Sequence, residues 1–561
     1  MATNGITTLG NRTFLFGGAS GIDTSSLITA AYNAKKSQAD KIDVQVKKNV
    51  AKFEAYDKIK TLSNAVKTSL ANIQKNYSIL AGNTDLFDQR TGSLSTNTAV
   101  SATSLVDVKL DPGTTLGAHE IIVQTKGQAQ RVTSDSSTSA TDPLGYTGSF
   151  SIGIAGKTAS SVNVTSGMTL TDLAAAINTS SSTTGVTATI AKVSDTSYQM
   201  VLTGSDINKA IQITGVTGTD VMQSVGVTDG LGGYPNILQP AQPTSIKVDG
   251  ITYSRDSNSF SDIITGVTIN VKSADPATTI NLSVENDNSG VKAGIQSFIT
   301  SYNALRDYIK SQQVVSDKGT LDSSVVLFGD TVMENLNRSL QGILGGSYGS
   351  GGTTLSTLRN VGITLDTDNK LVMDETKFDT ALIDKFSEVR DIFQAKVTVD
   401  NTEFRMTKNT STNGNQNFAM QITMSGGVIN GVSVGGDSSL FDFSNGTITG
   451  KAGTTYEGMS FAYIGTTDTT VNINIQSGLS DTLSSTIDKF SDALNGDLTK
   501  EMNRISSQNT QLEQRSSRVL ERAAAYRESL ISKYAAFESK LAQAQTVLAQ
   551  LQAITKSNNK D

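Results

Sequence analysis

The C-terminal stretch from Asp497 to Asp561 contains no glycine and no proline. Apolar or small residues recur there at Leu498, Met502, Ile505, Asn509, Leu512, Ser516, Val519, Ala523, Tyr526 and Leu530. They continue at Tyr534, Phe537, Leu541, Ala544, Leu548 and Leu551. Steps of four and three alternate, the seven-residue rhythm of a helix that seeks a partner along one seam. Tyr526, Leu530 and Tyr534 break it with two steps of four, a local eleven-residue repeat that slightly unwinds a left-handed supercoil. A helix from Leu498 to Thr555 would run roughly 85 Å at about 1.5 Å per residue. No compact domain buries such a stripe by itself, so the helix needs a partner.

The opposite end of the chain supplies one. Between Gly21 and Gly82 there is again no glycine or proline, and Asp23, Thr24, Ser25 and Ser26 offer cap-forming side chains. Apolar residues follow at Ile42, Val46, Phe53, Tyr56, Ile59, Leu62, Val66, Leu70, Ile73, Tyr77 and Leu80, mostly three and four apart. The expected fold is a multidomain α+β protein. Its N- and C-terminal segments pair into a long helical coiled-coil rod, and antiparallel β head domains ride on it.

Composition narrows the function classes. At 561 residues the chain exceeds one cooperative core. Charged residues are 17% and the net charge is −6, which gives no support to a nucleic-acid surface. Cysteine is absent and histidine occurs once, so thiolate chemistry, disulfides and cysteine-ligated metals are excluded. No apolar run is long enough for a membrane-spanning helix, and residues 1–20 lack the basic and apolar regions of a secretory signal. They read as a flexible, glycine-spotted arm, and any export would leave no cleaved signal behind.

In chain order, the expected arm covers residues 1–21 and the N-terminal leg helices 22–85. All six prolines fall between Pro112 and Pro276, in a region rich in Thr, Ser, Val and Gly. Alternating stretches such as Val106 to Leu110 and His119 to Gln124 read as half-buried strands. Residues 86–130 with 240–286 form one β subdomain, and 131–239 an outer one holding a short capped helix at Thr169 to Asn178. Helices return over 287–396, where Val291, Ile295, Phe298, Ile299, Tyr302, Leu305 and Ile309 share a face. Further helices fall near Gly329–Leu344 and Glu375–Phe393, with a hairpin around Thr367–Asn369. Residues 397–476 read as an inserted β domain, 477–497 resume the helical domain, and 498–561 form the C-terminal leg.

Nothing catalytic rises above background. With no cysteine and no second histidine, His119 cannot build the usual triad or metal site and reads as a structural residue. Asp366-Thr367-Asp368-Asn369 opens like a calcium loop, but Lys370 and Leu371 stand where a ligand and the required glycine belong. No phosphate-binding glycine loop or nucleophile elbow occurs, and no cofactor is expected. The residues that carry function are therefore seam residues, for helix pairing or for contact with another subunit. These are Leu27, Ile28, Ile42, Val46 and Phe53 in the first helix. In the last they are Ile505, Leu512, Val519, Tyr526, Leu530, Tyr534, Phe537, Leu541, Leu548 and Leu551. Lys35, Lys36, Lys41, Lys47, Lys48 and Lys52 make the first helix basic, and Glu513, Glu521, Glu528 and Glu538 dot the last. Such flanking charges would guide pairing, each pair adding a few tenths of a kcal/mol.

Several short segments, taken in order, resemble the flagellar filament cap family, the hook-associated protein 2 family. They are Gly21-Ile22-Asp23-Thr24, Leu170 to Asn178, Val248-Asp249-Gly250-Ile251, Ser301-Tyr302-Asn303-Ala304-Leu305, Leu327-Phe328-Gly329-Asp330 and Gly362-Ile363 before Asp366. The likeness covers nearly the whole chain and includes the long final helix; the insertion at about 397–476 departs from simpler members. The resemblance implies an extracellular homo-oligomer at the flagellar tip that retains exported flagellin and promotes its folding and insertion, with flagellin meeting the seam. It also implies contact with the hook–filament junction protein, an export chaperone and the flagellar type III export apparatus. A tip adhesin that binds host mucin or glycans through the β heads is the alternative.

Overall fold

In a computed structural model, residues 5–9, 12–16, 19–77, 85–315, 319–349, 354–411 and 413–558 are described. The chain divides into two compact units, residues 80–291 and residues 1–79 with 292–561.

The first unit is β-rich and antiparallel throughout. One half stacks a five-stranded sheet, ordered 251–255, 244–248, 117–125, 279–286 and 90–96, on a three-stranded sheet of 259–264, 267–271 and 106–110. Their inner faces supply one core, with Ile121, Val123, Ile246, Phe260, Ile269, Ile280 and Leu282 all buried. The alternating pattern of these strands places one side inward and leaves the other polar. The other half has sheets of four strands (237–239, 131–133, 197–204, 186–194) and three strands (211–218, 148–154, 160–164). A nine-residue helix, Leu170–Asn178, contributes Leu173 and Ile177 to this second core beside Phe150, Ile152 and Met200.

The second unit holds the long helices. We number those of nine residues or more in chain order: α1 Thr24–Leu70, α2 Leu170–Asn178 (in the first unit), α3 Asn288–Ser311, α4 Thr331–Leu344, α5 Glu375–Phe393, α6 Leu479–Ser491 and α7 Asp497–Asn558. The whole apolar face expected on α3, from Val291 to Ile309, is buried. Residues 396–476 form two four-stranded sheets whose shared core contains Phe404, Phe418, Met420, Phe461, Val471 and Ile473. The chain enters and leaves this β domain side by side. Ala395 N–H donates to Asp481 Oδ2 at 2.7 Å, and the carbonyl of Phe393 accepts from Ser480 Oγ at 2.5 Å. Gly478 sits where the two segments touch: a Cβ there would lie 2.2 Å from the carbonyl carbon of Gln394 and 2.5 Å from Ala395 N. Those neighbours are backbone and cannot swing aside. Gly478→Ala is therefore expected to cost about 2–3 kcal/mol in urea unfolding, and a loss under about 0.5 kcal/mol would contradict this close approach.

Two expectations change at the N-terminal end. Residues 1–21, read as a flexible arm, contain an antiparallel ladder in which Gly5 faces Phe16 and Leu9 faces Arg12. Ile6-Thr7-Thr8 and Thr13-Phe14-Leu15-Phe16 have the β-branched and aromatic make-up that suits strands. The first helix, expected within leg helices spanning 22–85, stops at Leu70. The Ala71 N–H turns back to the Thr68 carbonyl at 3.2 Å, and the carbonyl of Ile73 accepts from Gln394 Nε2 at 2.8 Å. A tertiary partner thus takes a backbone group that the next helical turn would have used.

Candidate assembly surface

α1 and α7 are built from runs free of helix breakers, and each is started by a side chain or turn. Gly21 has φ of 68°, and Asp23 Oδ1 accepts the Ser26 N–H at 3.0 Å, capping α1. The bonds from Ser26 hold the Asp23 carboxyl below its ordinary range. The two helices then pack antiparallel in one continuous register. Ile28 packs against Ile531, and Arg527 lies 5.7 Å over the Tyr32 ring. Ser516 Oγ donates to Asp43 Oδ1 at 2.8 Å, Asn49 Nδ2 to Asn509 Oδ1 at 2.8 Å, and Lys60 Nζ to Thr499 Oγ1 at 2.8 Å. The rise from 28 to 60 on α1 is matched residue for residue by the fall from 531 to 499 on α7. The seam is polar at Asn49 and Asn509, which are half-buried, and apolar at Ile28, Ile59, Ile505 and Ile531, which are all buried. A polar pair in an apolar seam fixes register, because sliding either helix leaves both amides unpaired.

The expected seam residues divide into three groups. Ile28 and Ile505 are buried; Ile42, Val46, Phe53, Leu512, Val519, Leu530, Tyr534 and Leu541 are half-buried; Leu27, Tyr526, Phe537, Leu548 and Leu551 are exposed. After Ala523 the inward positions move by one residue, to Ile531 and Glu538. Lys35 lies over the outward-facing Tyr526 ring at 5.4 Å. Of the acidic residues read as steering charges, Glu513, Glu521 and Glu528 make no ion pair with α1 among the described residues. Glu538 is 6% exposed and binds backbone instead. Its Oε2 accepts the N–H groups of Ala19 and Ser20 at 3.0 and 3.2 Å, its Oε1 accepts from Ser20 Oγ, and Gln545 Nε2 reaches the Ala19 carbonyl at 2.7 Å.

With 62 residues against 47, α7 outruns α1. Beyond Glu538 it presents Val547, Leu548, Leu551 and Ile554, each more than half exposed. Contiguous exposed apolar residues at helical spacing are the mark of an unfilled interaction surface.

The short segments that carried the resemblance are joints of the fold. Asp249 and Gly250, with φ of 49° and 87°, are the two central residues of a tight hairpin between Val248 and Ile251. Asp249 Oδ2 lies 2.7 Å from His119 Nδ1, and its Oδ1 accepts the Glu120 N–H at 2.9 Å. Partial burial pushes this carboxyl up, and those two bonds outweigh it and leave it below the ordinary range. His119 thus fastens a turn. Asn178 exchanges two hydrogen bonds with the Ala188 backbone, at 2.7 and 2.8 Å. Tyr302, Asn303 and Arg306 grip the hairpin at 363–373: Tyr302 Oη donates to the Asn369 carbonyl, Asn303 pairs with both backbone groups of Leu371, and Arg306 Nε donates to the Asp368 carbonyl at 2.7 Å. Asp366 spends its carboxylate on the Asp368 and Lys370 N–H groups, as a turn residue does. Asp330 caps α4 through the Val332 and Met333 N–H groups and also accepts from Tyr56 Oη, tying α4 to α1. Burial, and then that bond, pushes the Tyr56 phenol well above its usual range.

Among the described residues no group of three possible metal ligands converges, and no helix is long and apolar enough to cross a membrane. The exposed apolar end of α7 is the candidate site, a surface of the kind that structural assembly proteins present. Sequence comparison gives the family. Residues 20–130 match flagellar hook-associated protein 2 N-terminus, 241–546 match flagellar hook-associated protein 2 C-terminus, and 149–206 match the flagellin hook IN motif. The chain belongs to the flagellar hook-associated protein 2 family, the structural family of the flagellar cap. It is 26% identical over 417 residues to the A-type flagellar hook-associated protein 2 of Pseudomonas aeruginosa, covering 69% of this chain and 81% of that protein. Against the flagellar hook-associated protein 2 of Aeromonas caviae the identity is 25% over 397 residues, covering 67% and 80%. The crystal structure of the D1-D2-D3 domains of the flagellar cap protein FliD from Escherichia coli is similar at 21% identity with a TM-score of 0.45, covering 61% of this chain and 90% of that one.

Proposed function

We propose that this chain is a homo-oligomeric structural cap at the distal, extracellular end of the bacterial flagellar filament. It retains exported flagellin there and promotes its folding and insertion at the growing tip. One observation carries this reading: the apolar face of α7 from Leu541 to Ile554 has no counterpart on α1. Helices that leave an apolar stripe open are marginal alone and order against equivalent helices of a neighbour. The paired legs form a coiled-coil rod in this reading, and the exposed seam residues Leu27, Tyr526, Phe537, Leu548 and Leu551 meet flagellin or another subunit.

A cap must release and remake its contacts each time a subunit is added, so each contact has to be modest. A short apolar face on one helix meets that requirement better than a large buried interface would. The chain reaches the tip through the flagellar type III export apparatus, with an export chaperone on the C-terminal helix. It contacts the hook–filament junction protein. The test is a strain lacking the chain: abundant monomeric flagellin in the medium supports the cap, whereas normal filaments overturn it and leave adhesion to mucin or glycans as the role.

A further inference from the structure

The segment between α3 and α4 leaves one aromatic residue outside the fold. Leu327 is fully buried and Asp330 is fixed by α4 and Tyr56, yet Phe328 between them is 52% exposed. Its backbone is pinned on both sides. The buried Gln312 donates through Nε2 to the Ser324 carbonyl at 3.1 Å, and its Oε1 accepts the Val326 and Leu327 N–H groups at 3.1 and 3.3 Å. Gly329, with φ of 70°, turns the chain straight into the cap of α4. An exposed aromatic on a pre-set backbone loses little freedom on docking, which is the profile of an interface anchor.

A hollow lies at the other end of the same helix. Leu344, Leu358, Ile363 and Leu371 form the floor of an open cleft of about 440 Å³, with Leu365 on its rim. The cleft is ample for a phenyl ring. Arg359 at its edge is exposed and has no ion pair among the described residues; near Phe328, Asp322 and Glu334 are exposed and likewise have no cation partner among those residues. Knob and hollow therefore match in both polarity and charge. They lie roughly 20 Å apart along the rigid fourteen-residue α4, so one chain cannot fill its own cleft.

Between copies the match becomes a head-to-tail contact, the kind that closes into a ring when the rotation allows. We propose that Phe328 of one copy seats in the Leu344–Leu358–Leu365 cleft of the next, with Arg359 facing Asp322 and Glu334. This rests on the homo-oligomeric reading above and names the contact that builds it. The pair is small, so it is weak for two isolated copies and adds up around a closed assembly.

The absence of native cysteine makes the test clean. In the full chain, Glu334→Cys together with Arg359→Cys, exposed positions that the contact brings face to face while Phe328 stays in place, is oxidised mildly and run on a non-reducing gel. The expected result is a ladder of covalent oligomers, while either substitution alone stops at a dimer. Sedimentation velocity of Phe328→Ser should show self-association weakened about tenfold or more, with an unchanged circular-dichroism melt. Oligomers without a ladder, and with Phe328→Ser associating normally, overturn this contact and leave the homo-oligomer standing. A chain that stays monomeric at every concentration overturns the homo-oligomer and this contact with it.

Discussion

A chain that ends at Lys540 is expected to melt within about 2 °C of the full chain, yet to restore no filament growth. The two halves of this result have separate causes. Stability of the helix pair resides in the register from Ile28–Ile531 to Lys60–Thr499 and in Glu538, all of which remain. Apart from the half-buried Leu541 the removed turns carry exposed residues, with Val547, Leu548, Leu551 and Ile554 more than half exposed, and only one described hydrogen bond to the N-terminal segment, from Gln545, goes with them. Deleting exposed side chains costs the fold little. In the proposed cap, function depends on that same surface, because those residues are the apolar face that no element of α1 covers. Melting by circular dichroism and filament length by electron microscopy check the two halves. A drop of more than about 5 °C, or filaments of normal length, would contradict the division of roles.

Arg306→Ala is expected to lower the unfolding free energy by about 3 kcal/mol. Arg306 is 8% exposed. Its Nε donates to the Asp368 carbonyl at 2.7 Å and a terminal nitrogen to Asn337 Oδ1 at 2.6 Å. Hydrogen bonds from a charged donor contribute about 1.5–3 kcal/mol each, and truncation removes both, leaving Asn337 Oδ1 with only the longer bond from Gln341 Nε2 at 3.3 Å. The hairpin loses one of three fasteners, so Tyr302 and Asn303 feel the change as well. Urea unfolding measures it. A loss below about 1 kcal/mol would mean that the hairpin is held by its own turn, through Asp366, and not by α3.

The elements with strong local signals were legible in the residues. The uninterrupted rhythm of Leu498 to Leu551 located α7, and the spacing from Val291 to Ile309 located α3 and its buried face. The seam was legible only to within one position. Leu530 and Ile531 are adjacent and both apolar, so periodicity cannot say which one points inward, and the packed structure buries Ile531 more deeply. Glu538 reads as a surface charge from sequence because its partners are backbone N–H groups more than five hundred positions away. The end of α1 was hidden for the same reason: Ile73 continues the apolar spacing, and only the approach of Gln394 shows why the helix stops.

The short segments shared with the family had visible order but no visible purpose. Asp249-Gly250 does carry a local signal, since two successive residues with positive φ favour Asp and Gly in a tight hairpin. The roles of Asn178, Asn303 and Arg306 carry none, because each binds the backbone of a strand or turn from another part of the chain. Phe328 stood inside a recognised segment and still gave no hint that its ring faces solvent. Exposure is a property of the packed domain, and a lone aromatic between Leu327 and Gly329 reads like any core residue.

The most direct measurement is the amount of monomeric flagellin shed into the medium by a strain lacking this chain, compared with the same strain carrying the full chain and one carrying residues 1–540. The cap reading predicts heavy shedding with absent or stunted filaments, corrected by the full chain and not by the shortened one. Filaments of ordinary length with no shed flagellin in the deletion strain would contradict it.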